Sequence, residues 1–177
     1  MLDKIQRIIT KTSVLTGIFA SWFTSALVVI MCVDVFMRYF LKISHVWVIE
    51  LEAHMFALVF LIGAAYTLNK DAHVRVDLFY AKFSEVKKAW VNLVGVFLFL
   101  IPWCLVVIRA ASRYAHNSYK IRETSPDPGG LPALWIVKYM VVVAFILLIL
   151  EAVGLGIRSL LVILGKRSTV FPEATDD

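Results

Sequence analysis

The chain has 177 residues, 60% of them hydrophobic, with 18 Lys and Arg against 13 Asp and Glu, a formal charge of +5. A mean hydropathy of +0.82 excludes an ordinary soluble domain, in which roughly 45–50% of residues are apolar. The length allows four membrane spans with short connections and leaves no room for a separate soluble domain, so an all-α integral membrane protein with a single domain over 1–177 is expected. The basic residues sit at the ends of the apolar runs, where they bias orientation during insertion; the charge reads as topology, and no nucleic-acid partner is expected.

Residues 1–13, with Leu2, Ile5, Ile8 and Ile9 spaced along one side of a helix, read as a basic, partly amphipathic lead-in resting on the membrane surface. The first span follows over 14–39. Lys4, Arg7 and Lys11 precede it as they would in a secretory signal, but the apolar run is long and has no small-x-small cleavage site, which predicts an uncleaved helix. Asp34 and Arg38, four residues apart, are within reach of each other. Arg38 and Tyr39 are equally suited to anchoring the helix end against a partner.

The second span is expected over 46–68. Trp47, Glu50 and His54 share a face by their spacings of three and four, while Glu52 lies well round the helix. A charge costs about 2.5–3.5 kcal/mol at the bilayer centre on insertion scales, so these groups belong at headgroup depth or against protein. Gly63, Ala64 and Ala65 predict close helix approach. A polar exit with His73, Arg75 and Asp77 leads into DLFYAKFSEVKKAW, where Phe79, Phe83, Val86 and Trp90 oppose Lys82, Glu85 and Lys88. This pattern predicts an amphipathic helix over 77–89, lying among the lipid headgroups between the second and third spans. The third span, 90–111, carries Pro102 as an expected kink and is closed by Arg109 and Arg113.

Prolines and glycines between Ser125 and Pro132 prevent regular helix in the next loop. The fourth span, 132–164, is expected to open at Pro132, a residue tolerated in a first helical turn, and to carry Lys138, Glu151 and, on the face of Glu151, Arg158. The polar tail after Gly165 is expected to be disordered. Lys and Arg outside the spans concentrate at the N-terminus, in 69–90 and at the C-terminus, which places both termini in the cytoplasm and the Pro/Gly loop outside a bacterial inner membrane.

Cys32 and Cys104 have no paired spacing and read as packing residues. Three functional readings remain. A membrane cytochrome b would hold haem between facing histidines, yet only His54 lies well within a helix and it has no partner at equal depth. A self-contained proton-coupled transporter would use Glu50 or Glu151, although a cation such as Arg158 or Lys138 accounts for Glu151 as well, and broken midplane helices are missing. A docking subunit explains the charges and aromatics at helix ends. No nucleophile with its base, phosphate loop or metal-ligand cluster is present, so no enzyme activity, cofactor or metal site is expected.

Arg38 and Tyr39 ending the first helix, Trp47 and Glu50 opening the second, Gly63 to Ala65 near its end, and His73, Val76 and Asp77 at its exit form a pattern. That pattern resembles the signature of the small membrane subunit of tripartite ATP-independent periplasmic (TRAP) transporters. The stretch ETSPDPGGLPALWIVKY, Glu123 to Tyr139, resembles the family's second signature, a Leu-Pro-x-x-Trp opening the fourth helix. His45 and Val46 stand where the family often has Ser before the Trp, and Ser125 to Gly130 is a Pro/Gly variant.

The resemblance implies a scaffold subunit of a sodium-coupled uptake system for organic acids. Its partners would be a large membrane subunit carrying substrate and sodium, and a periplasmic substrate-binding protein. Arg38, Tyr39, Trp47, Glu50 and Glu52 on one side, and His73, Arg75 and Asp77 on the other, are implied to fix helix ends and subunit contacts. Arg122, Glu123, Asp127, Leu131, Pro132 and Trp135 are candidate contacts with the binding protein.

Overall fold

The computed structural model describes residues 2–70, 80 and 82–171, with side chains described at Gln6 and from Ile8 onward. Every regular element in it is helical. Helix α1 (Leu2–Phe36) runs into a π-helical turn (Met37–Leu41); α2 spans Val46–Asn69; α3 (Glu85–Gly95) passes through a π-helical segment (Val96–Leu100) into α4 (Ile101–Lys120); α5 spans Trp135–Ile163. The described residues contain four helical stretches long and apolar enough to cross a membrane: Ile8–Leu41, Val46–Asn69, Glu85–Lys120 and Trp135–Ile163. The protein is a multi-pass membrane bundle.

Helix α5 is the axis of the bundle, packing against α1, α2, α3 and α4, while α1 lies chiefly along α2. Two glycines permit this. A Cβ on Gly154 would stand 2.9 Å from Cγ2 of Ile9 in α1, and one on Gly156 would stand 3.1 Å from Cε2 of Phe97 in the π-helical segment. Small residues let backbones approach where lipid supplies no hydrophobic drive for helix association. The N-terminal end of α1 and the C-terminal half of α5 therefore lie at one end of the bundle, and the 121–134 loop lies at the other.

Helix α1 buries a single stripe, Ile9, Ser13, Gly17, Ala20, Leu27 and Asp34, at intervals of three, four and seven residues. Several of its hydroxyls are satisfied within the helix: Thr12 donates to the Ile8 carbonyl at 3.1 Å, Ser21 to Gly17 at 3.0 Å and Thr24 to Ala20 at 2.9 Å. Back-bonding of this kind lets polar side chains sit in a lipid-crossing helix.

Several expectations from the sequence are revised. The lead-in is not a separate segment: α1 is continuous from Leu2, and Ile9 and Ser13 are buried against α5 and α2. The third helix starts at Glu85 and continues to Lys120, well past Arg109 and Arg113. Pro102 is accommodated by the π-helical segment just before it, where the Ile101 N–H bonds back five residues to the Val96 carbonyl; a wider turn relieves the clash of a proline ring with the carbonyl four residues earlier. Pro132 lies in the loop, and the fourth helix begins at Trp135 after Ala133 adopts a φ of 62°. Of the small residues expected to allow close approach, Ala65 is buried and does so, whereas Gly63 faces open space; Gly17, which the Tyr66 ring covers, is a further point of approach.

The tail also folds back. Val170 is 1% exposed and joins the buried cluster of Leu68, Ala89, Val96, Ala152, Leu155 and Val162, with Phe171 packed beside it. Residues 77–79 and 81 of the expected interfacial helix, Asp77 among them, and His73 and Arg75 before it, lie outside the described residues; of the remainder, 82–84 are not helical, Ser84 being extended, and from Glu85 the chain is continuous with the spanning helix.

Candidate functional site

Polar groups gather at the two ends of the bundle. At the loop end, the chain leaves α4 at Lys120 and must return to α5 at Trp135, and its turns are set by residue type. Asp127 to Gly130 form a tight turn closed by the Gly130 N–H on the Asp127 carbonyl at 3.0 Å. Pro128 supplies the fixed φ of the second position, and Gly129, at φ 80°, the left-handed third position of a type II turn. The Ser125 hydroxyl accepts the Asp127 N–H at 3.1 Å, and the Ser125 N–H donates to the Leu131 carbonyl at 3.1 Å.

Glu50, one turn into α2, holds this loop. One carboxylate oxygen accepts the Ser125 hydroxyl, and the other accepts the Leu131 N–H at 2.6 Å. Gly130 is required beside them, since a Cβ there would stand 2.8 Å from Glu50 Oε1. Lys138, one turn into α5, pairs with Glu123 and lies 4.0 Å from the centre of the Tyr114 ring. This pairing holds the Glu123 carboxyl below its usual range. Trp135 packs edge-on against Tyr119 at 5.2 Å and Tyr139 at 6.4 Å between centroids.

The candidate loop residues thus divide into two sets. Glu123, Leu131 and Trp135 are engaged within the chain, whereas Arg122, Asp127 and Pro132 are exposed at the tip. Among the helix-end candidates, Arg38 pairs with Asp34, as their spacing predicts, and Asp34 is buried while Arg38 is half-exposed. Tyr39 and Trp47 are exposed. Glu52 is half-buried, with Oε1 enclosed and without a partner. Glu50 and Glu52, adjacent in the sequence pattern, therefore do different things: one is spent on the loop and the other is not.

At the opposite end, Glu151 and Arg158 form an ion pair at 2.8 Å, both almost fully buried, and Asn69 of α2 donates to the same Glu151 oxygen at 2.6 Å. The Ser13 hydroxyl of α1 reaches the Ala65 carbonyl at 3.3 Å, and Arg158 lies 5.8 Å from the Phe171 ring centre. Buried charges in hydrocarbon persist when they pair with each other and with backbone. This pair ties the C-terminal half of α5 to α2 and the folded tail.

Sequence reasoning identified the Glu151–Arg158 register but not Asn69, which closes the cluster from 82 residues away. Nor did it assign Glu123 to Lys138 or Glu50 to Ser125. A lone Lys one turn into an apolar helix was the available signal for the first. Among the described residues, no group of three or more His, Cys, Asp or Glu is placed to hold a metal ion.

No curated protein matches the chain. A family model does: the DctQ component of tripartite ATP-independent periplasmic transporters matches residues 27–161. The match runs from the middle of α1 to the last turn of α5, and so includes the Glu50 latch, the Pro/Gly loop and the buried ion pair. The chain belongs to the DctQ component family, the small membrane subunits of TRAP transporters, a family of transporter components rather than enzymes.

Proposed function

We propose that this protein is the scaffold subunit of a sodium-coupled, binding-protein-dependent uptake system for organic acids, seating a large transport subunit in a bacterial inner membrane. The observation that carries this reading is the internal use of the two carboxylates a carrier would employ: Glu151 is spent on Arg158 and Asn69, and Glu50 on its own loop. A proton or ion carrier needs a carboxylate open to an aqueous path, whereas a scaffold needs its helices locked. Substrate and sodium sites then belong to the large subunit. The exposed loop residues Arg122, Asp127 and Pro132 are the surface offered to a periplasmic binding protein, and the bundle end that holds Ile9 and Val170 faces the cytoplasm, in keeping with Lys11, Lys166 and Arg167 near it.

The test is uptake by purified components in liposomes. Uptake requiring this chain, the large subunit, the binding protein and an inward sodium gradient supports the proposal. Uptake by this chain alone overturns it, as does full activity of the large subunit without it. Charge reversal at Arg122 and Asp127 is expected to reduce uptake at limiting binding protein; an unchanged rate removes the loop from the docking surface.

A further inference from the structure

The buried end of the bundle contains one oxygen that the ion pair does not use. Oε1 of Glu151 accepts both Asn69 and Arg158, while Oε2 is buried without a protein partner. Glu151 also lines a cavity of about 10 Å³ between α1, α2 and α5, whose α1 side is Ile9, Thr12, Ser13 and Thr16. That volume corresponds to about one water molecule.

The hydrogens of the three lining hydroxyls are already committed. Thr12 donates to the Ile8 carbonyl at 3.1 Å, Ser13 to the Ala65 carbonyl at 3.3 Å and Thr16 to the Ser13 carbonyl at 2.8 Å. Each hydroxyl keeps lone pairs, and an ionised carboxylate oxygen is acceptor-only. With the hydroxyl hydrogens so placed, the groups facing the cavity are chiefly acceptors, which suits a donor of water size. A sodium ion has the right size, but Arg158 already balances Glu151, so a cation would leave a net positive charge inside the bundle, which is costly. Water brings two hydrogens and no charge.

We propose that this cavity is a binding site for a single structural water, which donates one hydrogen to Glu151 Oε2 and the other to a hydroxyl oxygen of α1. The water ties Glu151 Oε2 to α1, whose Ser13 lies beside the same carboxylate and lines the same cavity. Buried waters typically make about three hydrogen bonds and are costly to remove.

Radiolytic hydroxyl labelling of the purified subunit, in complex with whatever large subunit co-purifies, reads bound water directly, because radicals form at ordered waters inside the protein. Ile9 and Leu155 are equally buried, each 4% exposed, but only Ile9 borders the cavity. The expected result is labelling of Ile9 several-fold above Leu155, with the excess lost in Thr16→Val or Thr12→Val at unchanged fold by circular dichroism. Equal labelling of Ile9 and Leu155 overturns the proposal. So does a melting temperature that rises with sodium over choline in the wild type but not in Thr16→Val, which would make the occupant a cation. Should Thr16→Val not fold, Thr12→Val carries the same comparison, since Thr12 is part-exposed and its loss leaves the buried packing in place.

Discussion

Glu50 in the second helix and Leu131 in the loop before the last are joined by a 2.6 Å hydrogen bond from backbone N–H to carboxylate across 81 residues of sequence. The contact turns a Pro/Gly-rich connector into a shaped surface, because a carboxylate that also takes the Ser125 hydroxyl leaves the loop little freedom. Hydrogen bonds to charged groups contribute about 1.5–3 kcal/mol, enough to fix a turn of this size.

Glu50→Ala is accordingly expected to free the Leu131 amide. Hydrogen exchange at that amide should accelerate by at least tenfold, and proteolysis between Ser125 and Pro132 should become several-fold faster, while helical content is retained. Ser125→Ala should show a smaller version of the same change. Unaltered exchange at Leu131 in Glu50→Ala would show that the turn holds itself.

The Glu123–Lys138 pair gives the loop a pH dependence of known sign. Lys138 lowers the carboxyl pKa of Glu123 from its ordinary value of 4.5, so the folded loop favours the ionised form. Its contribution is fully present above the unfolded value and is lost as pH falls through the lower, folded value. The difference in stability between the wild type and Glu123→Gln should therefore be constant from pH 7 to 5 and close at lower pH. Trp135 fluorescence, reporting the ring packed between Tyr119 and Tyr139, provides the measurement.

Removing one half of the buried ion pair should be worse than removing both. Arg158→Met leaves Glu151 enclosed without its cation, a loss of about 3–5 kcal/mol in comparable buried pairs, whereas Glu151→Gln combined with Arg158→Met restores neutrality and keeps an acceptor for Asn69. Thermal unfolding in detergent should rank the wild type and the double variant well above Arg158→Met. Equal melting of all three would mean the pair is not desolvated in the membrane.

The glycines of the first two spans should differ sharply. A Cβ on Gly17 would stand 2.7 Å from Cγ of Tyr66, an atom at the root of the ring that moves only if the whole ring swings about χ1, while Gly63 has no atom within 4 Å. Gly17→Ala is expected to cost about 1–3 kcal/mol by overpacking, and Gly63→Ala to be near neutral or slightly stabilising through helix propensity. Yield and melting temperature of the two variants, compared side by side, decide the matter.

Hydropathy and charge placement by themselves determined that the chain is a helical membrane protein with four apolar stretches long enough to span, and the resemblance carried by the Trp47–Glu50 and Leu-Pro-x-x-Trp patterns pointed to its family. These are properties of the bilayer as a solvent: every spanning backbone must satisfy its own hydrogen bonds, so apolar length maps directly onto helix. Asp34–Arg38 was legible for the same local reason, since four residues is one helical turn.

Other features depended on which helices meet. Glu50 reads as a headgroup carboxylate until Ser125 and Leu131 are brought to it, and Glu151 has several candidate partners until α2 delivers Asn69. The tail reads as polar and loose because two apolar residues, Val170 and Phe171, carry little pattern; only the exposed end of the buried cluster gives them a place to bind. Of Gly63 to Ala65 only Gly63 is open, while Gly17, Gly154 and Gly156 also meet neighbours closely, because small size is a property of a residue, whereas facing a neighbour is a property of the packed bundle. Tertiary structure decided those pairings, since contacts between helices depend on axial rotation and register that no single helix encodes.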